Sequence, residues 1–420
     1  MRLTALLCIL LFGCLPICKA QEPGGFRFKK ADEKSFTLSF EYSQNLILIP
    51  VRINDSPPMR FVLDTGISNT IITELTGVDT LQLNYARQVK VAGLGTGNSA
   101  EAYYSAGNRL IIDHPDSRDA GIEDDHTDIF VLTTDHFELS KQLGIQVNGL
   151  IGCDLFDKFI VEIDPVEKKI TFHNRDYFNP ERYKKRFTPV PVEYVSGKPY
   201  ANVFITQEDG SQLNTRLLID TGASLSMWIA PRADPEIILP SRTVRALLGQ
   251  GLSGQITGVN GRVQQVQIGP YSFRKPLVAY PDSASIEGIA LGKQRHGSLG
   301  NDILRRFTFI ADFPKGILYL KPNKWYYNPF TYNRSGMEVE KPYPEIPVFT
   351  IFSVIPGSPA DRAGLFPGDV IEYINFMPAF NLTLDDINHI LHGEEGKTVN
   401  IRINRNGIMK RIRFQLEGKI

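Results

Sequence analysis

Two aspartates stand in matching surroundings: Asp64 in Phe61, Val62, Leu63, Asp64, Thr65, Gly66, Ile67, Ser68, and Asp220 in Leu217, Leu218, Ile219, Asp220, Thr221, Gly222, Ala223, Ser224. Brought together, two carboxyl groups can do what one cannot. Like charges held close cannot both ionise, so one carboxyl keeps its proton while its neighbour is an anion. Such a pair can take a proton from water and give one to a carbonyl oxygen in the same step. Those are the two tasks in hydrolysing an amide without a metal or a side-chain nucleophile. The shared proton belongs to the pair and is assigned to neither residue.

The neighbouring residues suit this chemistry. Three apolar residues before each aspartate predict a buried strand that fixes its direction. Gly66 and Gly222 allow a tight turn in which backbone N–H groups face a carboxylate. Thr65 and Thr221 offer hydroxyls that can bond across the boundary between the two halves and hold the turns in register. A single Asp-Thr-Gly occurs by chance about once in ten chains of this length and would be an ordinary turn. Two copies, each after an apolar strand, are a stronger signal.

The echo extends to the elements that must position the turns. Gly149, Leu150, Ile151, Gly152, Cys153, Asp154, Leu155, Phe156 is paired by Gly297, Ser298, Leu299, Gly300, Asn301, Asp302, Ile303, Leu304. Each is followed by an apolar strand with an acidic end (Phe159 to Asp164, Phe307 to Asp312) and a hairpin return (Lys168 to Phe172, Lys315 to Leu320). Two copies of one all-β lobe are implied, over residues 35–190 and 191–325, each β-barrel-like. Val51 to Asn54, Leu110 to Asp113, Ile129 to Thr133, Tyr200 to Thr206 and Val263 to Ile268 read as further strands. Gly93, Gly95 and Gly97, and separately Gly249, Gly251, Gly254, Gly258 and Gly261, are candidate hairpin tips for a mobile cover over a substrate. Asp113 to Asp128, with His114 and His126, reads as a solvated acidic loop. No metal-ligand spacing occurs there, so neither metal nor cofactor is expected.

Residues 35 to 325 resemble the aspartic peptidases, closer to retropepsin-like lobes fused in one chain than to pepsin itself. In that family a carboxyl pair sharing one proton is the known catalytic device. The resemblance implies that Asp64 and Asp220 are catalytic and that Thr65, Gly66, Thr221 and Gly222 support them. It implies polypeptide substrates, and that the strand segments Leu150, Ile151, Gly152 and Ser298, Leu299, Gly300 thread behind the turns. Ser298 departs from the apolar residue expected at its position. Ile67 and Ala223 stand where pepsin-like enzymes carry a hydroxyl, so the carboxylate form is less favoured and a less acidic pH optimum is expected. One chain supplies both aspartates, so catalysis requires no dimer.

Beyond an aromatic connector, Lys321 to Tyr332, expected to lie on a folded surface, comes a module of about 85 residues. Gly357, Ser358, Pro359, Ala360, then Ala363, Gly364, Leu365, then Gly368, Asp369, Val370, Ile371 resemble a PDZ domain of the bacterial protease-associated kind over residues 334–420. The resemblance places Gly336, Met337, Glu338 and Val339 near the carboxylate-binding loop. A PDZ groove pairs an extended peptide with a strand edge and caps its terminal carboxylate with backbone N–H groups. Thr383 to Leu391, with Leu384, Ile387, Ile390 and Leu391 on one face, reads as the groove helix. The overall expectation is a mainly β chain: two retropepsin/pepsin-like β-barrel lobes and a small α+β PDZ domain.

Composition excludes several other classes. Lys plus Arg equals Asp plus Glu at 46 each, so no electrostatic footprint points to nucleic acid or an anionic membrane. Residues 1–20 carry one early positive charge, an apolar run and small residues before Gln21, which reads as a secretory signal and places the protein outside the cytoplasm, periplasmic or extracellular. A lipid anchor at Cys14, in Leu11, Phe12, Gly13, Cys14, is the alternative. Three of the four cysteines fall in this segment, leaving Cys153 as a buried small side chain with no disulfide partner. No later segment is apolar enough to span a membrane. The rival to an endopeptidase is a non-catalytic exported peptide-binding protein on the same fold; a carboxylate-pair glycosidase is disfavoured, since no aromatic sugar platform accompanies the turns.

Overall fold

The computed structural model describes residues 25–76, 81–91, 93–97, 99–287, 289, 291–292 and 294–420. The expected export signal and Cys14 lie outside the described residues. The architecture is mainly β. In the first half, Met59–Leu63, Leu46–Ile53, Ala100–His114, Ser117–Leu132, Thr70–Ile72 and Gly149–Ile151 close into a barrel. Closure pairs the long strands on both sides and removes exposed edges. Phe61 and Leu63 point into the main core, while Val62 lies in a second cluster with Leu46, Leu48, Ile71 and Leu150. Both faces of the strand before Asp64 are therefore buried, which is why its sequence is apolar without alternation.

The second half repeats the central frame around Gln212–Ile219, Met227–Ile229 and Gly297–Leu299, but the expected barrel does not close there: among the described residues its strands form an open path that ends at Thr243–Gly251. Beneath both halves runs a six-stranded antiparallel sheet in the order Thr188–Val195, Ile317–Pro322, Phe307–Asp312, Phe159–Asp164, Lys169–Asn174, Ser35–Ser39. Three strands come from each half, joined where Glu162 pairs with Ile310. This shared sheet fixes the position of one lobe against the other. The aromatic connector lies on the second lobe: Tyr326 packs on Phe307 with ring centroids 5.6 Å apart, and Phe330 lies under the guanidinium of Arg306 at 3.7 Å.

Two local expectations need correction. Asp113 to Asp128 is a β-hairpin turning at Pro115 and Asp116, not a solvated loop, and its carboxylates are engaged. Asp113 bonds Lys29 Nζ at 2.7 Å and Arg52 Nε at 3.1 Å, and Glu123 bonds Arg27 and Arg109. The charges that looked solvated face cations, Arg27, Lys29 and Arg52 from distant segments and Arg109 from the hairpin's own first strand, while Ile122 fills the core position between them. Val263 to Ile268 is also not one strand: Gly254–Arg262 ends before it and Gln265–Ile268 begins a new one.

The C-terminal module has its own core, including Phe349, Ile351, Leu365, Ile387, Leu391 and Ile403. Its sheet runs Met337–Glu340, Phe349–Val354, Val370–Ile374, Thr398–Arg405, Ile408–Gln415, with Met337–Glu340 at an edge. The groove helix is Leu384–Leu391. Thr383 and Asp386 cap its N-terminus reciprocally, satisfying donors the first turn cannot pair. Among the described residues no helix is long and apolar enough to cross a membrane.

Candidate active site

Each Asp-Thr-Gly turn is held by the same frame. Met59–Leu63 runs parallel to Gly149–Ile151, which is antiparallel to Thr70–Ile72. Gln212–Ile219 runs parallel to Gly297–Leu299, which is antiparallel to Met227–Ile229. The backbone N–H of Asp64 donates to Ile151 O and that of Asp220 to Leu299 O, both at 2.9 Å. The aspartates thus leave their strands at the same point and angle.

The threonines then lock the turns face to face. Thr65 Oγ1 donates to Ile219 O at 2.6 Å and accepts from Thr221 N at 3.1 Å. In return, Thr221 Oγ1 donates to Leu63 O at 2.7 Å and accepts from Thr65 N at 3.0 Å. All four bonds are buried, where each is electrostatically stronger than in water. Gly66 N donates to Asp64 Oδ1 at 2.7 Å and Gly222 N to Asp220 Oδ1 at 3.2 Å. A methyl group on Gly222 would lie 2.2 Å from Asp64 Cγ, so only glycine lets the second turn press against the first carboxyl. A carbon at the same place on Gly66 would stand 2.9 Å from Asp64 Oδ1 and 3.1 Å from Asp220 Oδ1. Both carboxyls therefore converge on one point.

Asp64 and Asp220 are each 8% exposed, and burial raises both pKa values above the ordinary carboxyl range. Their surroundings differ. At Asp64 the next influence is the negative charge of Asp220, a further push upward. At Asp220 it is the cation Arg295, and the Ser298 hydroxyl hydrogen-bonds the carboxyl; both pull downward. The cation and the hydroxyl make the two surroundings unequal, and the one proton belongs to the pair. A pair so arranged can activate a water and protonate a carbonyl.

Sequence reasoning did not single out Arg295 or Lys198, and it treated Ser298 only as a departure from an apolar position. The structure gives all three a place at the carboxyl pair. Arg295 Nη2 donates to Ser298 Oγ at 2.7 Å and its Nε to Gly297 O at 3.2 Å, and the guanidinium lies over the Trp228 ring at 5.2 Å. Lys198 begins the strand after a two-residue turn at Ser196 and Gly197 and lines the same cleft. The polar residue at position 298 was the one sequence signal; nothing local marked the other two.

The cleft has a volume of about 480 Å³ and is walled mainly by apolar side chains, among them Val62, Ile71, Leu150, Leu218 and Trp228. Both glycine-rich segments cover it. Ser253 N donates to Leu94 O at 2.9 Å, Gly97 N to Ser253 O at 2.6 Å and Thr96 N to Gln255 O at 3.1 Å, so the two tips meet backbone to backbone. A methyl group on Gly251 would lie 2.2 Å from Leu94 O, which leaves no room for a side chain at this contact. Gln250 Nε2 also reaches Glu138 Oε2 at 3.3 Å.

The residues assigned to the PDZ carboxylate-binding loop lie together at the sheet edge beside the groove helix. Gly336 has φ +75°, and its carbonyl accepts from Ile355 N at 2.8 Å. Met337 is buried, with its N–H on Ser335 Oγ at 3.1 Å. Val339 is also buried in the module's core. Burial pushes the Glu338 carboxyl up to about 7, while a bond from Asn333 opposes the shift. At the far end of this edge, Lys341 N donates to Lys141 O at 2.9 Å and Lys341 Nζ to Gly144 O at 3.2 Å. Lys141 belongs to the helix Leu139–Leu143 of the first lobe, whose Leu139 and Gln142 line the cleft. One short segment therefore forms a wall of the cleft and touches the PDZ edge strand.

Cys153 is 1% exposed and burial pushes its thiol up to about 12, which keeps it protonated and inert as a nucleophile. Among the described residues no cluster of His, Cys, Asp or Glu has the arrangement of a metal site.

Comparison with known proteins agrees with this geometry. Residues 206–303 match the family model described as aspartyl protease, and residues 350–405 match a PDZ domain. The chain carries an aspartyl protease domain and a PDZ domain. The first match contains the Asp220 turn, Arg295 and Ser298; the Asp64 turn lies outside it and is related to the second by the shared frame described above. The PDZ match contains the groove helix and begins after Met337–Glu340. The chain is also 43% identical over 53 residues to carboxyl-terminal-processing peptidase 2, chloroplastic, of Arabidopsis thaliana. That stretch covers 13% of this chain and 10% of the relative.

Proposed function

We propose that the protein is an aspartic-type endopeptidase in which Asp64 and Asp220 share one proton and activate a water between them, with the PDZ module recruiting substrate. One observation carries the reading: two Asp-Thr-Gly turns, locked by reciprocal threonine bonds, bring two buried carboxyls to one point at the floor of a covered cleft. Whichever carboxyl is ionised takes the proton from water, and its protonated partner gives a proton to the scissile carbonyl. Thr65 and Thr221 hold the geometry, and Gly66 and Gly222 allow the close approach. The tips at Leu94 to Gly97 and Gly251 to Gly254 must part to admit a polypeptide and close again to exclude water.

The edge strand Met337–Glu340 and the helix Leu384–Leu391 form the groove for a peptide terminus. The bond from Lys341 N to Lys141 O, beside the wall of the cleft, supports this recruiting role. Export through residues 1–20 completes the reading, with substrates met outside the cytoplasm. The test is incubation of the chain from Gln21 with a denatured protein, with and without a pepstatin-type inhibitor, beside Asp64→Asn and Asp220→Asn. Fragments formed by the wild type and by neither variant are expected. Cleavage that survives either substitution ends the dyad assignment, and peptide capture without cleavage supports a binding protein instead.

A further inference from the structure

We infer that Lys198, in the cleft it shares with Arg295, forms an anion subsite at the aspartate pair, so that the enzyme selects polypeptides carrying a carboxylate next to the bond that is cut. The inference rests on the endopeptidase reading and names its substrate class. Among the described residues lining the cleft, only Asp64, Asp220, Lys198 and Arg295 carry charge. With one proton shared by the aspartates, the two carboxyls bring one negative charge and the two cations bring two positive ones. The cleft therefore holds one uncompensated positive charge against apolar walls, where its field is weakly screened.

The two cations are not equivalent. Arg295 is engaged: its Nη2 donates to Ser298 Oγ, its Nε to Gly297 O, and its guanidinium lies over Trp228. The Lys198 ammonium makes no hydrogen bond or ion pair among the described residues, although the charges of Asp64 and Asp220 act on it. Its strand start is held rigidly by the turn at Ser196 and Gly197, with φ of 51° and 71°, and by pairing with Val195. An ammonium so placed offers three donors to a group that the free protein lacks. Burial disfavours its charge and Arg295 repels it, and a carboxylate bound to the ammonium offsets these costs by its attraction. Two sources present that chemistry, an Asp or Glu side chain and a chain-terminal carboxylate.

The test uses the chain from Gln21 and blocked fluorogenic peptides identical except at the residue beside the cut: glutamate, glutamine or lysine. A fourth peptide carries glutamine and ends there in a free carboxylate. The expected order in kcat/KM is glutamate over glutamine by about tenfold, with lysine lowest. The fourth peptide matches glutamate if a chain end is the natural ligand, and falls with glutamine if a side chain is. Lys198→Met is expected to abolish the glutamate preference, with the change mainly in KM, and Lys198→Glu to reverse it toward lysine. As a second readout, Asp64→Asn is titrated with the same peptides by fluorescence anisotropy, which reports binding preference without turnover. Equal rates and equal binding for all peptides would overturn the subsite. So would a Lys198→Met variant whose pH profile shifts for every peptide alike while the glutamate preference stays. Cleavage that needs Asp64 and Asp220 but ignores charge removes only the subsite, whereas cleavage that ignores the aspartates removes the endopeptidase reading beneath it.

Discussion

The two Asp-Thr-Gly turns share a backbone and differ in chemistry. Both aspartates leave a strand threaded by a parallel neighbour, both accept from the glycine two residues on, and both are equally exposed. At the position next to the strand, however, the first lobe has Leu150, part of an apolar cluster, and the second has Ser298, bonded to Asp220 and held by Arg295. A duplicated backbone makes a symmetric pair; single side chains on neighbouring strands make it asymmetric. The geometry of such a site is thus specified separately from its charge distribution, and the two can be broken separately.

The largest expected effect removes what the turns have in common. Asp64→Asn and Asp220→Asn should each lower kcat by about 10²–10⁴-fold, measured on one fluorogenic peptide. A variant that kept most of its rate would show that the two carboxyls do not act as a pair. Next come the threonines. Thr65→Val and Thr221→Val each leave buried carbonyl and N–H groups without partners, at about 1–3 kcal/mol each. Because the bonds are reciprocal, the double variant should lose clearly less than the two losses added, as read from denaturant titrations. Additive losses would mean that the turns are held independently.

A smaller effect probes the asymmetry directly. Ser298→Ala removes a donor to the Asp220 carboxylate, so the acidic limb of the kcat/KM profile should move to higher pH, by under about one unit. Leu150→Ser, the reciprocal change, should move the same limb down if its hydroxyl reaches Asp64. The smallest effect is on stability. A carboxyl whose pKa is raised on folding holds a proton that the unfolded chain has released, so its contribution falls as pH rises above about 4. Asp64→Asn removes that penalty and should unfold at a temperature higher than wild type by a few °C at neutral pH, with the gap closing in acid. Asp220→Asn should gain less, because Arg295 and Ser298 already offset part of the cost at Asp220. An equal gain would remove the asymmetry.

The turns and their frames were legible because each is a local pattern: three apolar residues, an aspartate, a small turn, then a second apolar segment. The groove helix was legible from its helical spacing and its Thr383 cap, and the glycine runs from their turn chemistry. The hairpin at Asp113 to Asp128 was misread because its acids look solvated until Arg27, Lys29 and Arg52 arrive from elsewhere and strand pairing brings Arg109 across to Glu123. Lys198 and Arg295 carried no local mark; each is an ordinary cation until the lobes close around the carboxyls.

What the sequence determined by itself is the duplicated lobe with its two aspartates and the module that follows, since strand, turn and helix propensities act over a few residues. The tertiary structure alone decided how the surroundings of the two aspartates differ, which cations share the cleft, and that the Lys141 segment touches both cleft and PDZ edge. Charge in a buried site depends on distance and on exclusion of water, and neither exists until distant strands are brought side by side.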